Sequence, residues 1–131
     1  MSAKHVFLAF VEEDLDSVRL FRGQAKNKNN DLTFDDYSVK EPFDSANAEY
    51  IRARIRPKIR AASVTICLIG HTTSSSRWVD WEIRESYDQH NHVFGVRLHS
   101  DRSRDLPPKA LVDKNARIVD WDIDEIVRQI G

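Results

Sequence analysis

A doubly wound α/β domain, with five parallel strands in the order 2-1-3-4-5 sandwiched between helices in three layers, is predicted by three features of the sequence. Continuous short apolar runs recur at His5-Val6-Phe7-Leu8-Ala9-Phe10, Val64-Thr65-Ile66-Cys67-Leu68-Ile69 and Val93-Phe94-Gly95-Val96-Arg97-Leu98, the pattern of strands buried on both faces of a parallel sheet. Between them lie segments whose apolar residues recur at helical spacing. The length of 131 residues fits one compact domain spanning 1–131 and is too short for two ordinary ones.

The first apolar run supplies a central strand. Asp14 or Asp16 caps a helix in which Leu15, Val18, Phe21 and Ala25 share a face, and Asn27-Lys28-Asn29-Asn30 ends it. Leu32-Thr33-Phe34 reads as a second, more polar strand. The following stretch, Asp35 to Phe43, is too long and too decorated for a simple turn and is read as a functional loop. From Asp44 or Ser45 a second helix runs through Ala48, Ile51, Ile55 and Ile59, with Pro57 expected to kink or restart it. Val64 to Ile69 forms the third strand, Gly70 ends it, and Ser76 is placed to cap a third helix. Val93 to Leu98 is the fourth strand and Arg117-Ile118-Val119-Asp120-Trp121 the fifth. Pro107-Pro108 starts a short helical turn between them. Ile123, Ile126, Val127 and Ile130 pack a closing helix.

Twenty basic against twenty-one acidic residues give a net charge of -1, which removes the global electrostatic case for nucleic acid or an anionic membrane as partner. Arg52, Arg54, Arg56, Lys58 and Arg60 alternate around the second helix and read as a solvated face. Cys67 stands alone within an apolar run, so it makes no internal disulfide and reads as a buried, unreactive thiol. Met1-Ser2-Ala3-Lys4 leads straight into a strand without a signal-type or membrane-spanning segment, and a cytoplasmic setting is expected. His5, His71, His90, His92 and His99 show no metal-like spacing with nearby acids, so neither metal nor cofactor is expected.

In sheets of this kind ligands bind beyond the carboxyl ends of the strands, at the switch point beside strand 1. That rule gathers Phe10 to Glu12, the loop ending at Phe43, the Gly70 to Ser76 loop and the start of the third helix around one crevice. Trp78 and Glu82 stand at i and i+4 on that helix, so an indole sits beside a carboxylate. Such a pair suits a flat cationic ring; the competing reading makes Trp78 and Trp81 core aromatics and Glu82 a solvated charge. A phosphoacceptor site at Asp35-Asp36 is disfavoured, because strand 3 ends in Gly70-His71 and no lysine follows strand 5.

The chain resembles the TIR domain superfamily, with its flavodoxin-like fold, and is most similar to the TIR-like subunit of bacterial Thoeris antiphage defence systems. The resemblance rests on Val6-Phe7-Leu8-Ala9-Phe10, on Phe34-Asp35-Asp36-Tyr37-Ser38-Val39, on Ser63 to Ile69, and most of all on Trp78-Val79-Asp80-Trp81-Glu82-Ile83. Ala9 replaces the family's usual small hydroxyl residue, Val11 and Glu12 stand where some relatives carry arginine, and the loop after strand 2 lacks the family-type glycine. The resemblance implies that Glu82 is catalytic, that Trp78 lines its pocket, and that the substrate is NAD, cleaved at the nicotinamide-ribose bond. Phe10, Asp36, Ser38, Trp78 and Trp81 are accordingly the expected substrate-binding residues.

Nicotinamide leaves as a neutral molecule from a pyridinium cation, so one carboxylate can suffice where ordinary glycosidases need two. An adjacent indole partly desolvates that carboxylate, and too much burial neutralises it. The product is a linear ADP-ribose, a cyclic isomer or a conjugate. A phage-derived trigger and a downstream effector that senses the product are the implied partners. Self-association is expected through Val39 and Phe43, although Phe43 can equally fold back as a hydrophobic staple on the second helix. The alternative function is a non-catalytic TIR-like adaptor or nucleotide-sensing module.

Overall fold

The computed structural model describes residues 4–37, 41–99 and 105–131. Five parallel strands, β1 (Lys4–Ala9), β2 (Leu32–Asp35), β3 (Val64–Ile69), β4 (His92–Arg97) and β5 (Arg117–Asp120), form one sheet in the order β2-β1-β3-β4-β5. Helices α1 (Leu15–Lys28), α2 (Ala48–Ala61), α3 (Arg77–Asp88), α4 (Lys109–Asp113) and α5 (Ile123–Ile130) connect or follow them.

The twofold period of the strands sorts the core into two layers. Val6, Leu8, Ile66, Leu68, Phe94 and Val96 pack against Val18, Phe21 and Ala25 of α1 and Ile126 and Ile130 of α5. Phe7, Ala9, Cys67, Ile69 and Val93 point the other way, onto Ile51, Ile55 and Ile59 of α2, Val79 and Ile83 of α3, and Leu111 of α4. All six residues of β3 are buried, which is why its sequence shows no polar alternation. Burying each of the large aliphatic residues stabilises the fold by about 1.5–3 kcal/mol.

The start of the second helix and its course past Pro57 differ from the sequence expectation. The second helix begins at Ala48 rather than at Asp44 or Ser45, because the Ser45 hydroxyl and the Asn47 side-chain amide turn back to the Glu41 carboxylate. Backbone bonds from Ser45 to Pro42 and from Ala48 to Ser45, each 3.1 Å, complete that loop. Pro57 does not restart the helix, which runs uninterrupted from Ala48 to Ala61. The proline leaves the Ala53 carbonyl without its helical donor. Burial of Ile51, Ile55 and Ile59 against the sheet on both sides of the proline offsets that loss.

Several basic residues of α2 have local partners: Arg56 pairs with Glu49 and Glu85, Lys58 with Asp35, and Arg54 donates to the Tyr50 hydroxyl. Among the described residues no helix is long and apolar enough to cross a membrane. Gly95 lets α4 approach β4: a Cβ there would lie 3.0 Å from Ile69 Cδ1 and 3.1 Å from Leu111 Cδ1. Gly95→Val is therefore expected to overpack this contact and cost about 1–3 kcal/mol, read as a lowered midpoint of thermal or urea unfolding; an unchanged midpoint would show that α4 shifts freely.

Candidate active site

The expected cap forms as the sequence implies. Ser76 Oγ accepts the Val79 N–H at 3.1 Å, satisfying one of the free donors of the first turn of α3. Farther along, Thr65 of β3 donates to Ser86 Oγ at 2.8 Å, and Ser86 donates to the Glu82 carbonyl at 2.8 Å. Asn91 joins them, bonding Thr65 Oγ1 and the Ile59 carbonyl. This buried polar chain fixes the roll of α3 on the sheet, and with it the direction of the Glu82 side chain.

Glu82 is only 3 % exposed. Burial pushes its carboxyl well above the usual carboxylate range, because a charge in an apolar setting loses its hydration. Aromatic residues cluster on the same helix. Trp78, one turn earlier, is 8 % exposed, and its Nε1–H donates to the Glu41 carbonyl at 2.7 Å. The Phe43 ring meets Trp78 edge-on at 4.9 Å, and Trp81 stands perpendicular to Trp78 at 6.2 Å. The Arg52 guanidinium lies 4.5 Å from the centre of the Phe43 ring and Arg77 lies 4.7 Å from it, close enough for cation-π attraction at both positions. Residues 41–43 are thus latched onto Trp78 by one hydrogen bond, one aromatic edge contact and two cations.

The remaining expected site residues scatter. Phe10 is 9 % exposed and packs into the core layer beneath α1 and α5, not the layer that holds Trp78. Asp36 forms an ion pair with Arg22 of α1. Ser38 and Val39 lie outside the described residues. A cavity of about 350 Å³ opens along α3, lined by Phe43, Ser76, Arg77, Trp81 and Lys109 among others, but Trp78 and Glu82 do not line it. Arg77, Asp80, Trp81 and Arg84 form the stripe facing that cavity, and Trp78 and Glu82 the neighbouring stripe. Within the stripe Asp80 is engaged twice, accepting from Arg84 Nε at 2.8 Å and from the Ala110 N–H of α4 at 2.9 Å. Cys67 is fully buried, and burial, ahead of the nearby Glu82 and Asp80 charges, pushes its thiol far up, so it is no nucleophile.

Sequence spacing missed one group entirely. His71, His99 and Asp105 come together with one potential ligand atom each inside a sphere of contacts no wider than 4.8 Å. The histidines show no metal-like spacing along the chain, yet His71 and His99, which follow the ends of adjacent strands β3 and β4, meet Asp105 in space. Linear spacing carries no signal of it.

The parallel sheet in this strand order, with a capped helix after β3 that carries a carboxylate and two tryptophans, defines a TIR-type domain. A family model described as "Thoeris protein ThsB, TIR-like domain" matches residues 7–103, and the chain belongs to that family. No curated protein sequence matches it significantly. Among solved structures, the RPS4 and RRS1 TIR domain heterodimer is similar over 98% of this chain and 96% of that one, at TM-score 0.63 and 19% identity. The TIR domains of the activated Roq1 resistosome, which directly recognises the pathogen effector XopQ, are similar over 98% of this chain and 97% of theirs, at TM-score 0.56 and 18% identity. At these identities the likeness speaks for the fold.

Proposed function

We propose that the domain cleaves the nicotinamide-ribose bond of NAD, with Glu82 as catalytic residue, and that the described arrangement is its closed state. The observation that carries this reading is a carboxylate held on α3 beside two indoles, in a chain of the ThsB TIR-like family. In the closed state burial favours the neutral form of the Glu82 carboxyl, a form that does little for a cation. Displacing residues 41–43 from Trp78 wets the carboxyl, which then ionises and stabilises the positive charge that develops on the ribose as nicotinamide departs. The indole of Trp78, freed from Phe43, offers its face to the nicotinamide ring. The flanking cavity, with Arg77, Lys109 and the amino end of α3, suits the anionic part of a dinucleotide.

Assembly supplies the opening. On this reading Phe43 leaves Trp78 for a neighbouring copy, as the heterodimeric TIR neighbour makes reasonable, and Val39, four positions earlier in the sequence, joins the contact. The product, linear, cyclic or conjugated, signals to a downstream effector in antiphage defence after a phage-derived trigger. A second reading, a non-catalytic adaptor, draws its support from the same burial of Glu82, since a covered carboxyl meets no substrate.

Purified protein incubated with NAD over a hundredfold range of protein concentration separates these readings. Nicotinamide release per molecule is expected to rise with concentration, and Phe43→Asp to abolish the rise. Placed between Arg52 and Arg77, the new carboxylate gains ion pairs, so the variant is expected to fold normally by circular dichroism. Specific activity that stays flat on dilution would remove the assembly step, and absence of nicotinamide at every concentration, with and without infected-cell extract, would leave the adaptor.

A further inference from the structure

We propose that His71, His99 and Asp105 form a binding site for a divalent transition metal of the zinc type. This site is independent of the NAD reading and lies apart from Trp78 and Glu82. Its construction begins in the sheet. Ile69 and Arg97 are register partners, and the Leu98 N–H still bonds the Ile69 carbonyl at 2.9 Å. The chains that follow β3 and β4 therefore leave the sheet side by side, and they bring two imidazoles into a stack with ring centres 4.2 Å apart and planes 26° from parallel.

Asp105 is completely buried. Its Oδ2 accepts the His99 N–H at 2.9 Å and lies 2.9 Å from His99 Nδ1, while Oδ1 lies 3.0 Å from that nitrogen and 3.5 Å from His71 Nε2. A buried carboxylate thus faces two imidazole nitrogens whose rings remain about one-third open to solvent. Neutral imidazoles and a carboxylate are good ligands for zinc and its neighbours in the first transition row. Two nitrogens and one oxygen leave a fourth position for water, the composition of an open rather than a closed zinc site. With metal-ligand bonds of about 2.0–2.2 Å, donors in a tetrahedral site stand roughly 3.3–3.6 Å apart, so separations of up to 4.8 Å close by a small rotation of the exposed rings.

A second observation points the same way. Asp14 Oδ2 is buried and has no hydrogen-bond partner among the described residues, and it sits directly over Gly70, where a Cβ would lie 2.2 Å away. The residue after Gly70 is His71. Burial and then the Glu13 charge, ahead of His99, Asp105 and His71, raise the Asp14 pKa, and its position over Gly70 puts this oxygen within the same pocket, available to a metal-bound water. Outer groups of this kind commonly orient the ligands of metal sites. The competing account is a hydrogen-bonded lock of Asp105 on two loops, with no ion.

Chelator-treated wild-type protein titrated with Zn²⁺ tests the proposal. One equivalent is expected to bind and to raise the thermal midpoint by several degrees. His71→Gln, His99→Gln and Asp105→Asn are each expected to weaken zinc binding by more than about 100-fold, beyond the roughly 10–100-fold typical of losing an outer-shell partner, and to erase the midpoint shift. His92→Gln should change neither. Equal zinc affinity in wild type and His71→Gln, or no binding by wild type, would overturn the site in favour of the lock. Should the variants fail to fold, Co²⁺ added to wild-type protein decides: visible bands of a low-coordinate nitrogen and oxygen site, without thiolate charge transfer because Cys67 is buried, support it, and a spectrum of free aqueous cobalt refutes it.

Discussion

Glu82→Gln is expected to lower NAD cleavage by about 10²–10³-fold and, at the same time, to make the domain more stable at neutral pH. The two effects have one source. Glu82 is 3 % exposed and burial raises its pKa, so the folded state keeps the proton to a higher pH than the unfolded chain, where glutamate ionises near an ordinary value of about 4.3. Between those two pKa values the unfolded state binds fewer protons than the folded one, and stability falls as pH rises through the window. Below the unfolded pKa both states are protonated and nothing is lost. Glutamine keeps the shape and has no proton to lose, so wild type and variant should have the same thermal midpoint near pH 4 and diverge above it, the variant being higher. Equal midpoints at pH 4 and pH 7.5 would mean that Glu82 is hydrated and ionised in the folded protein; near-wild-type nicotinamide release by the variant would end its catalytic role.

An adaptor and an enzyme part company on the same variant. A carboxyl kept only by chance on a packed helix gains stability when replaced by glutamine and loses nothing in return. Natural proteins retain destabilising groups at sites where function needs them. A gain in stability coupled to a loss of turnover is therefore the signature of the enzyme, and a gain alone that of the adaptor.

Much of this arrangement was legible in the sequence, for reasons that particular residues make plain. Val64 to Ile69 has no polar face because both of its faces are covered, and such a run admits little but a central parallel strand. Ser76 announced the start of α3 because a hydroxyl before a helix has one favourable use, and Trp78 and Glu82 were placed side by side by helical spacing alone. Phe10, just past the end of β1, joins the layer of Val6 and Leu8 and not that of Phe7 and Ala9, a side that the twofold alternation of the preceding strand already indicates. The depth of Glu82 had no such signal. Nor did the loop contacts beside it, where the Glu41 carbonyl meets Trp78 across 37 positions and the side chains of Asn47 and Ser45 turn toward Glu41. The His71, His99 and Asp105 group likewise exists only because β3 and β4 are neighbours.

Trp78→Ala is expected to carry the largest stability cost, about 3–5 kcal/mol by comparison with buried tryptophan truncations elsewhere. The ring is 8 % exposed, and its loss removes the edge contacts to Phe43 and Trp81 and the anchor for residues 41–43. Part of that cost returns, because uncovering Glu82 relieves the penalty of burying it. Trp78→Phe keeps an aromatic ring against Phe43 and removes the Nε1–H bond to the Glu41 carbonyl together with part of the buried indole volume. Glu41 is exposed, so water can replace the donor and the bond itself contributes about 0.5–1.5 kcal/mol, the lost volume adding to it. Urea unfolding of both variants measures these differences, and nicotinamide release normalised to the folded fraction measures what remains. If Trp78 lines the substrate pocket, the alanine variant turns over more slowly per folded molecule while the phenylalanine variant, with a ring to stack and a weaker latch, is as fast as wild type or faster. Equal activity per folded molecule in all three proteins would make Trp78 a core residue and nothing more.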